Sequence, residues 1–284
     1  MKILILGQDG MLGHVVKEYF IEHGYDVLGT SRRKDSEFYF DAAQNIGQID
    51  TIISITNPDV VINCIGILNK AAEEHKSLAI QINSLFPHYM DELSLKYNFY
   101  FIHVTTDCVF SGTKGLYQEN SFKDAQNFYG QSKALGEINN DRNVSLRTSI
   151  VGPDINENGI GLFNWFIHQK GTIKGFSQAI WSGVTTIQLA ECMDSAIKNH
   201  LTGLYHVVNN ESISKYDLLY LFKKYFNSDV DIQKDDTYVC DKSLVSTRDY
   251  QFSIPSYEQM ISNMREWVEE HPTLYPNLIK KVRE

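Results

Sequence analysis

Cysteine is scarce in this chain of 284 residues, which contains only four. They stand at positions 64, 108, 192 and 240, a spacing that fits neither a zinc ribbon nor a redox pair. The sequence therefore favours free thiols, which are typical of a reducing compartment, over a disulfide framework.

Long hydrophobic runs are missing as well. No stretch approaches the roughly 20 consecutive apolar residues that a membrane-spanning helix requires. The apolar run Ile3–Leu6 is too short for a signal sequence and ends at Gly7, so it suits a buried strand better. We therefore expect no membrane segment and a cytoplasmic location.

Positive charge is in deficit, and no block of lysine or arginine occurs. The formal net charge is −9, from 26 basic and 35 acidic residues. An acidic surface repels polyanions, so a nucleic-acid partner is not expected. A small nucleotide is still a reasonable ligand, because a few amides and basic groups suffice to bind one phosphate group.

The first 150 residues contain a regular alternation of strand-like and helix-like segments. Helical spacing from Met11 to His23 predicts the first helix, and a further helical stretch runs from about Ser77 to Tyr97. Strands separated by helices imply right-handed crossovers, so the predicted fold class is α/β with a doubly wound parallel sheet of the Rossmann type. The predicted strands are Ile3–Leu6, Asp26–Gly29, Val60–Cys64, Tyr100–Val104 and Val144–Arg147.

The alternation of strands and helices becomes less regular after about residue 150, where Gly152 and Pro153 interrupt it. We predict a dinucleotide-binding domain over residues 1–150, with a return segment near 180–200, and a smaller α/β substrate domain over residues 151–284. Residues 271–284 are polar and are expected to pack on the surface. The second half is predicted to contain helices at Leu162–His168 and Tyr216–Phe226 and a strand at Leu204–Val208.

A glycine-rich turn joins the first predicted strand to the first helix. Glycine suits this place because the turn is tight, the backbone must approach a pyrophosphate and the helix must pack closely on the sheet. The phosphate then meets unpaired amides at the helix N-terminus. The glycine spacing is typical of short-chain dehydrogenases, and a turn without a ligand is the alternative. The predicted cofactor contacts are Gly7, Asp9, Gly10, Met11, Leu12 and Gly13.

The end of the second predicted strand bears on the choice of cofactor. An acidic residue there would bind the ribose 2′-hydroxyl of NAD, but this chain has a hydroxyl at Ser31 and guanidinium groups at Arg32 and Arg33. Such groups suit a 2′-phosphate, so NADP(H) is predicted in preference to NAD(H). Asp41 is a candidate for a hydrogen bond to the adenine amino group. Solvated loop charges are the alternative for all of these residues.

Tyr129 and Lys133 stand four residues apart at the start of a predicted helix and therefore share one face. An ammonium beside a phenol lowers the tyrosine pKa from about 10, toward the range of efficient proton exchange. Thr106 follows the strand Tyr100–Val104, at the edge where ligands bind such sheets. Its hydroxyl could polarise a carbonyl group that accepts hydride, and a turn or cap threonine is the alternative.

Four motifs together resemble one family. Gly-x-x-Gly-x-x-Gly, Thr-Thr-Asp-Cys-Val-Phe-Ser-Gly, Tyr-Gly-Gln-Ser-Lys-Ala-Leu-Gly-Glu and Leu-Arg-Thr-Ser look like dTDP-4-dehydrorhamnose reductase and its relatives. Those are extended short-chain dehydrogenases that reduce nucleotide-linked 4-keto-6-deoxy sugars. The resemblance implies catalytic roles for Thr106, Tyr129 and Lys133 and a nucleotide-sugar substrate. It is specific over residues 1 to about 150 and weak in the last third of the chain.

The resemblance also implies further ligand contacts. Cys64, Ile65, Gly66 and Asn83 fall where the family lines the cofactor cleft. The segment 161–166 falls where relatives contact the nucleotide and sugar, although aromatic residues at helical spacing more often belong to a core. No metal site is predicted, and a homodimer is one expectation for the assembly.

Position 108 departs from the family pattern. Rhamnose reductases usually carry tyrosine there, dehydratases carry glutamate, and epimerase-reductases such as GDP-fucose synthase carry a cysteine base beside a histidine or lysine acid. Cys108 argues against dehydration and leaves an epimerase-reductase as the nearest alternative, with His168 and Lys170 as the acids nearby in sequence. A pocket-lining thiol is the other interpretation of Cys108. A non-catalytic NADP-binding sensor is a more distant alternative, which the complete catalytic set disfavours.

Overall fold

Alternating strands and helices run through the chain in a computed structural model that describes the backbone of residues 1–283 and the side chains through residue 280. The strands are β1 (Lys2–Leu6), β2 (Asp26–Ser31), β3 (Phe38–Tyr39), β4 (Val60–Asn63), β5 (Tyr100–Thr106), β6 (Val144–Thr148), β7 (Ile150–Val151), β8 (Thr172–Phe176), β9 (Ala179–Trp181), β10 (Val184–Thr185), β11 (Gly203–His206), β12 (Ile213–Ser214), β13 (Asp231–Asp235) and β14 (Cys240–Asp241).

The helices cover most of the remaining chain. A π-helical turn, Ile80–Leu85, joins α4 to α5, and a single 3₁₀ turn, Asp107–Val109, follows β5. The α-helices are α1 (Gly13–Glu22), α2 (Gln48–Thr56), α3 (Asn69–Glu74), α4 (Lys76–Ala79), α5 (Phe86–Tyr97), α6 (Phe128–Leu135), α7 (Leu162–Ile167), α8 (Thr186–Lys198), α9 (Lys215–Tyr225), α10 (Tyr257–Glu270) and α11 (Pro276–Arg283).

Seven strands form the main sheet, in the order β11-β6-β5-β4-β1-β2-β3. Every neighbouring pair in this sheet is parallel. The strand order reverses between β1 and β4, and in sheets of this kind ligands bind at the carboxyl ends of the strands beside such a point. The prediction of a doubly wound parallel sheet is therefore confirmed.

Both faces of the sheet are covered, which explains why the central strands β1 and β4 are almost entirely apolar. Ile3 and Ile5 belong to the larger of the two main apolar cores, which includes residues of α1, α8 and α10. Leu4 and Leu6 point the other way and pack in a second core with residues of α2 and α5. This alternation follows from the two-residue period of a strand.

The chain returns to the main sheet after it has left it. Strand β10 pairs with β7, and α8 then packs against α1 on one face of the sheet. Strand β11 adds to the sheet edge beside β6, with Leu204 opposite Ser145. Residues 186–206 therefore belong structurally to the first part of the molecule.

The remaining residues form small sheets covered by short helices. Strand β8 pairs with β13, and β9 lies between β12 and β14. Phe163 and Phe166 of α7 are buried against Phe222 of α9, as the core interpretation of that aromatic segment predicts. The predicted division into a dinucleotide-binding and a substrate domain stays a prediction.

The last described residues do not lie loosely on the surface. Tyr275 and Ile279 are 3% and 6% exposed and join the larger core, so the expectation of a polar surface segment is wrong at these two positions. Within residues 1–283, no helix combines the length and apolar character that crossing a bilayer requires. The described residues also contain no cluster of three or more histidine, cysteine or acidic side chains that could hold a metal ion.

Candidate active site

The glycine turn lies between β1 and α1, as predicted. Gly7 has a φ angle of +84°, which favours glycine, and its carbonyl accepts the Gly10 amide at 3.1 Å. A Cβ atom on Gly13 would stand 2.1 Å from the Gly7 carbonyl oxygen, so only glycine allows α1 to begin so close to the strand. The amides of Met11 and Leu12 have no hydrogen-bond acceptor among the described residues. This turn fits a pyrophosphate group.

Asp9 and Ser31 connect this turn to the end of β2. The Ser31 hydroxyl donates to the Asp9 carboxylate and accepts the Arg33 amide at 3.0 Å, and Ser31 is only 3% exposed. Ser31 therefore lies behind the surface, in contrast to the direct phosphate contact that the sequence predicts. Arg32 is exposed, and no side-chain partner for it occurs within the described part of the chain. Arg32 is thus the group at this strand end that is free to meet a phosphate.

Asp41 follows β3 and is half-buried. Its carboxylate accepts the Ala43 amide at 3.0 Å and the Gln44 side-chain amide at 3.1 Å. These bonds hold its own turn, as a loop aspartate would, and the predicted contact with adenine stays a prediction.

The loop after β4 approaches the glycine turn from the side. Ile65 packs on Gly7, where an added Cβ would lie 3.0 Å from its Cγ1 atom. Gly66 is exposed beside it. Cys64 precedes them, and burial raises the pKa of its thiol to about 12, so Cys64 is an inert thiol at neutral pH.

Asn83 ties this loop to α6. Its side-chain oxygen accepts the Ile67 amide at 3.0 Å, and its nitrogen donates to the Ile67 carbonyl at 2.9 Å and to Ser132 at 3.0 Å. Asn83 belongs to the π-helical turn and is only 1% exposed. These bonds fix the loop after β4 against α6, and the predicted contribution of Asn83 to the cofactor cleft stays a prediction. A π-helical turn cannot be recognised in the sequence, although such turns are frequent at functional sites.

Thr106, Tyr129 and Lys133 come together at the carboxyl end of β5. Helix α6 lies against the 3₁₀ turn because it has glycine at position 130, where a Cβ would stand 2.1 Å from the Cys108 carbonyl oxygen. This approach brings the Tyr129 phenol within hydrogen-bonding reach of Thr106. One helical turn further, the Lys133 ammonium donates to the Val104 carbonyl at 2.8 Å.

The electrostatics of this group differ from the sequence prediction. Lys133 is bonded to the backbone, and burial raises the pKa of Tyr129 above its ordinary value, with a further contribution from Cys108 and only partial opposition by the Thr106 bond. The expected lowering of the tyrosine pKa by lysine is therefore absent, because desolvation dominates. Burial also lowers the pKa of Lys133, to about 8. Tyr129 is consequently a protonated phenol at neutral pH and can act as a donor.

Asp107 and Cys108 extend the site toward the second half of the chain. Burial raises the pKa of Asp107, and burial together with Asp107 raises the pKa of the Cys108 thiol to about 11. The Lys242 ammonium lies within hydrogen-bonding reach of that thiol. Burial alone would lower the pKa of Lys242, but the neighbouring Cys108 and Asp107 raise it. Lys242 is thus a cation of the site that the sequence did not suggest.

Lys242 belongs to a segment that is distant in sequence from the other site residues and is brought to them by the fold. The Ser243 carbonyl accepts the Tyr117 amide at 2.8 Å, and the Leu244 amide donates to Ser182 at 2.7 Å. These bonds lay residues 242–244 along the chain that follows the 3₁₀ turn. By contrast, His168 and Lys170, the two acids considered from sequence, are exposed, and His168 donates to the Asn164 carbonyl of its own helix.

An open cleft of about 680 Å³ lies between the two parts of the molecule. Asn69 of α3 lines one side, while Trp165 of α7 and Lys215 of α9 line the other. Trp165 is 41% exposed, in contrast to the buried Phe163 and Phe166 on either side of it. Lys215 also acts electrostatically on Asp107, which connects the cleft with the catalytic group.

Fold and site together define the class of the protein, which is an oxidoreductase of the extended short-chain dehydrogenase type. The family model described as the RmlD substrate binding domain matches residues 1–264. The chain belongs to this family.

Similar proteins include both a sugar-nucleotide reductase and a subunit of a different enzyme. A dTDP-4-dehydrorhamnose reductase from Aggregatibacter actinomycetemcomitans is 26% identical over 229 residues, which cover 76% of each chain. Methionine adenosyltransferase 2 subunit beta from Xenopus tropicalis is 26% identical over 245 residues, covering 80% of this chain and 72% of the relative. Among solved structures, the dTDP-4-dehydrorhamnose reductase of Bacillus anthracis in complex with NADP superposes with a TM-score of 0.79 at 22% identity, covering 94% of this chain and 99% of that one.

Proposed function

We propose that this protein uses NADPH to reduce the C4 ketone of a nucleotide-linked 4-keto-6-deoxy sugar, as a step in the supply of deoxysugar or polysaccharide precursors. One observation carries the proposal. The hydroxyls of Thr106 and Tyr129 meet at the carboxyl end of β5, with Lys133 beneath them. The glycine turn lies at this same edge of the parallel sheet, so a dinucleotide on the turn would extend toward them.

The cofactor assignment rests on the shape and charge of the glycine turn. Gly7, Gly10 and Gly13 leave space for a pyrophosphate beside the free amides of Met11 and Leu12, and Arg32 is available for a 2′-phosphate. NADP(H) is therefore preferred, with NAD(H) as the weaker alternative. When bound, NADPH would supply the hydride.

Three side chains then have separate tasks. The protonated phenol of Tyr129 donates its proton to the carbonyl oxygen as the alcohol forms. The Thr106 hydroxyl has one proton, which points to Asp107 at 3.1 Å in this structure and would turn to the substrate oxygen to orient it by a second hydrogen bond. The Lys133 ammonium stabilises the phenolate that remains after proton transfer and holds the nicotinamide ribose.

The substrate assignment rests on the cleft and on the relatives. The cleft carries an exposed indole at Trp165, which suits stacking on a base, and an ammonium at Lys215, which suits a diphosphate. The relative from Aggregatibacter actinomycetemcomitans is named for such a reduction. Both observations favour a nucleotide sugar as the substrate of this chain.

The test is NADPH oxidation with a panel of nucleotide-linked 4-keto sugars, using the variant Tyr129→Phe. We expect kcat to fall by about 10²- to 10⁴-fold, because the proton donor is gone, while the dissociation constant of NADPH changes less than about threefold. Tyr25→Phe is the matched control, since its phenol bonds Asp194 at 2.6 Å, away from the site. Full activity of Tyr129→Phe would refute the assignment.

A second candidate, an epimerase-reductase, is favoured by the Lys242 ammonium beside Cys108. In this candidate the Cys108 thiolate would be the base and the Lys242 ammonium the acid that exchange the proton on a carbon next to the ketone before reduction. Because burial raises the pKa of Cys108 to about 11, the thiol must first release its own proton to solvent. Deuterium entry at C3 or C5 from D₂O, lost in Cys108→Ala, would establish this activity, and a simple reductase would show none. If the protein binds NADPH tightly but acts on no sugar of the panel, a sensor role replaces both candidates.

A further inference from the structure

Residues 271–280, here called the brace segment, contact the helix that carries the glycine turn. Tyr275 is 3% exposed, and its phenol is 2.7 Å from His14 Nε2. His14 stands in the first turn of α1, 261 residues earlier in the chain. The His14 and Tyr275 rings also meet edge to face, with centroids 5.6 Å apart.

His14 also bonds to the glycine turn and thereby connects Tyr275 with it. Its Nδ1 atom lies 2.9 Å from the Gly10 carbonyl oxygen, which can only accept a hydrogen bond. Nδ1 must therefore carry the proton, and in the neutral ring Nε2 accepts from the Tyr275 hydroxyl. Burial lowers the pKa of His14, which is consistent with the neutral ring.

Tyr275 is fixed from its other side by α10. The Trp267 indole donates to the Tyr275 oxygen at 3.1 Å. A directed chain of hydrogen bonds thus runs from Trp267 through Tyr275 and His14 to the carbonyl of Gly10. His271 adds a second link, because its Nε2 atom lies 2.8 Å from Glu22 at the end of α1.

Packing around the brace segment is uneven. Tyr275 and Ile279 are buried in the larger core, whereas a cavity of about 370 Å³ lies between residues 273–278 and α7. A void contributes no packing contacts, so on this flank the hydrogen-bond chain is what orients the Tyr275 phenol. The bond from His14 to Gly10 also bears on the predicted phosphate site. The Gly10 carbonyl and the Met11 amide belong to the same peptide group, so a bond to the carbonyl fixes the direction of the amide.

We propose that the brace segment fixes the glycine turn in its dinucleotide-binding geometry, and that Tyr275 and His14 are positioning residues for the cofactor. This inference rests on the proposed function, in that a dinucleotide is taken to bind the turn. Tyr275 and His14 lie away from the ligand, and their effect is on cofactor affinity alone. The catalytic hydroxyls at the end of β5 are not part of the hydrogen-bond chain.

The test compares Tyr275→Phe with Tyr257→Phe. Tyr257 is a matched control, since it is also buried and its phenol also donates one hydrogen bond, to the Glu211 carbonyl at 2.8 Å, but it does not reach the glycine turn. We expect Tyr275→Phe to raise both the dissociation constant and the KM of NADPH about five- to tenfold, the ratio that one net hydrogen bond supports, with kcat and the KM of the sugar unchanged. The control variant should leave all four values unchanged. Equal NADPH affinity in the two variants, or a loss of thermal stability in Tyr275→Phe without a change in affinity, would overturn the inference.

A second measurement separates this inference from the proposed function. Hydrogen exchange of the amides of residues 10–16, followed without cofactor, should be faster in Tyr275→Phe than in wild type and in Tyr257→Phe. In the double variant with His14→Leu, exchange should be no faster than in His14→Leu alone, because the chain is already broken. Unchanged exchange overturns the brace even if NADPH binds, whereas faster exchange in a protein that binds no dinucleotide refutes the proposed function and leaves the brace established.

Discussion

Two groups of buried polar side chains lie close to α6 and differ in how completely they are paired. The first, the Glu137 cluster, consists of Glu119, Glu137, Arg147 and His206. Arg147 donates to both Glu137 carboxylate oxygens, at 2.7 and 2.6 Å, and its third nitrogen lies 2.9 Å from His206. Although burial opposes ionisation, Arg147 holds the pKa of Glu137 below its ordinary value. Charge in this cluster is matched by charge.

The second group is the catalytic one, Thr106, Asp107, Cys108, Tyr129 and Lys133. Lys133 is 5% exposed and forms no ion pair with any carboxylate in the described chain. Burial moves the pKa of Asp107, Cys108, Tyr129 and Lys133 in the direction that disfavours the charged form. Here neighbouring charges and hydrogen bonds offset desolvation only in part.

Tyr129, Lys133 and Glu137 follow one another at four-residue intervals. Tyr129 and Lys133 belong to the catalytic group, whereas Glu137 belongs to the cluster in which charges are paired. A paired group such as Glu137 is fixed in one protonation state and serves the structure. An unpaired buried group such as Tyr129 or Lys133 costs stability, and it is ready to change its protonation state when a reaction supplies the opposite charge. The comparison therefore predicts that substitutions in the two groups change stability in opposite directions.

The largest effect is expected for Arg147→Met. This change leaves the Glu137 carboxylate buried without its main partner, so the free energy of unfolding should fall by about 3–5 kcal/mol. Urea denaturation followed by circular dichroism measures it. Arg142→Met serves as the control, because Arg142 is an exposed arginine whose pair with Asp91 is long, 3.7 Å, and should change stability by less than about 1 kcal/mol. A similar small loss in both variants would show that the Glu137 cluster is not what holds this region.

Lys133→Met should act in the opposite direction. Lowering the lysine pKa from 10.5 to about 8 corresponds to a burial cost of about 3 kcal/mol, of which the lost bond to Val104 takes back about 1. The variant should therefore be more stable than wild type by about 1–2 kcal/mol at pH 7 while its reductase activity is lost. Thermal and urea unfolding give the first value, and NADPH oxidation the second.

The pH dependence of this gain identifies its cause. Between pH 8 and 10.5 the unfolded chain binds a proton at Lys133 that the folded chain does not, so the stability of wild type rises with pH in that window relative to the variant. The advantage of Lys133→Met should accordingly shrink as the pH rises from 8 toward 10.5. Lys198→Met, at an exposed lysine, should show no such trend. A gain that is constant with pH would mean that burial of the ammonium is not its source.

Much of the main sheet could be predicted from sequence because its strands carry a continuous apolar signal. The prediction placed β1, β2, β4, β5 and β6 within two residues of their observed bounds. It missed α2, a helix of nine residues that begins after Gly47 and ends at the left-handed cap residue Asn57, and it missed α10. It also could not show that residues 271–280 turn back to α1, because contacts across 261 residues leave no local pattern.

The candidate site divides in the same way. Thr106, Tyr129 and Lys133 are recognisable because their spacing relative to strand and helix is fixed by local geometry. Lys242 is not, since only the bonds of residues 242–244 to Tyr117 and Ser182 carry it to Cys108. The sign of the tyrosine pKa shift was also out of reach, because it depends on burial, which the Tyr-x-x-x-Lys spacing does not encode.

The smallest effect is expected for Arg32. This exposed arginine extends the comparison between paired and unpaired charges to the surface of the protein. Its neighbour Arg33 is paired with Asp35 at 3.3 Å, whereas no partner of Arg32 occurs in the part of the chain that the structure describes. Arg32→Ser should raise the KM for NADPH about tenfold, or about 1.4 kcal/mol, and leave the KM for NADH unchanged, because only NADPH carries the 2′-phosphate. Arg33→Ser should change either value less than about twofold, since its charge is already matched. Steady-state kinetics with both cofactors measure the difference, and equal effects of the two substitutions would mean that pairing does not decide which arginine recognises the phosphate.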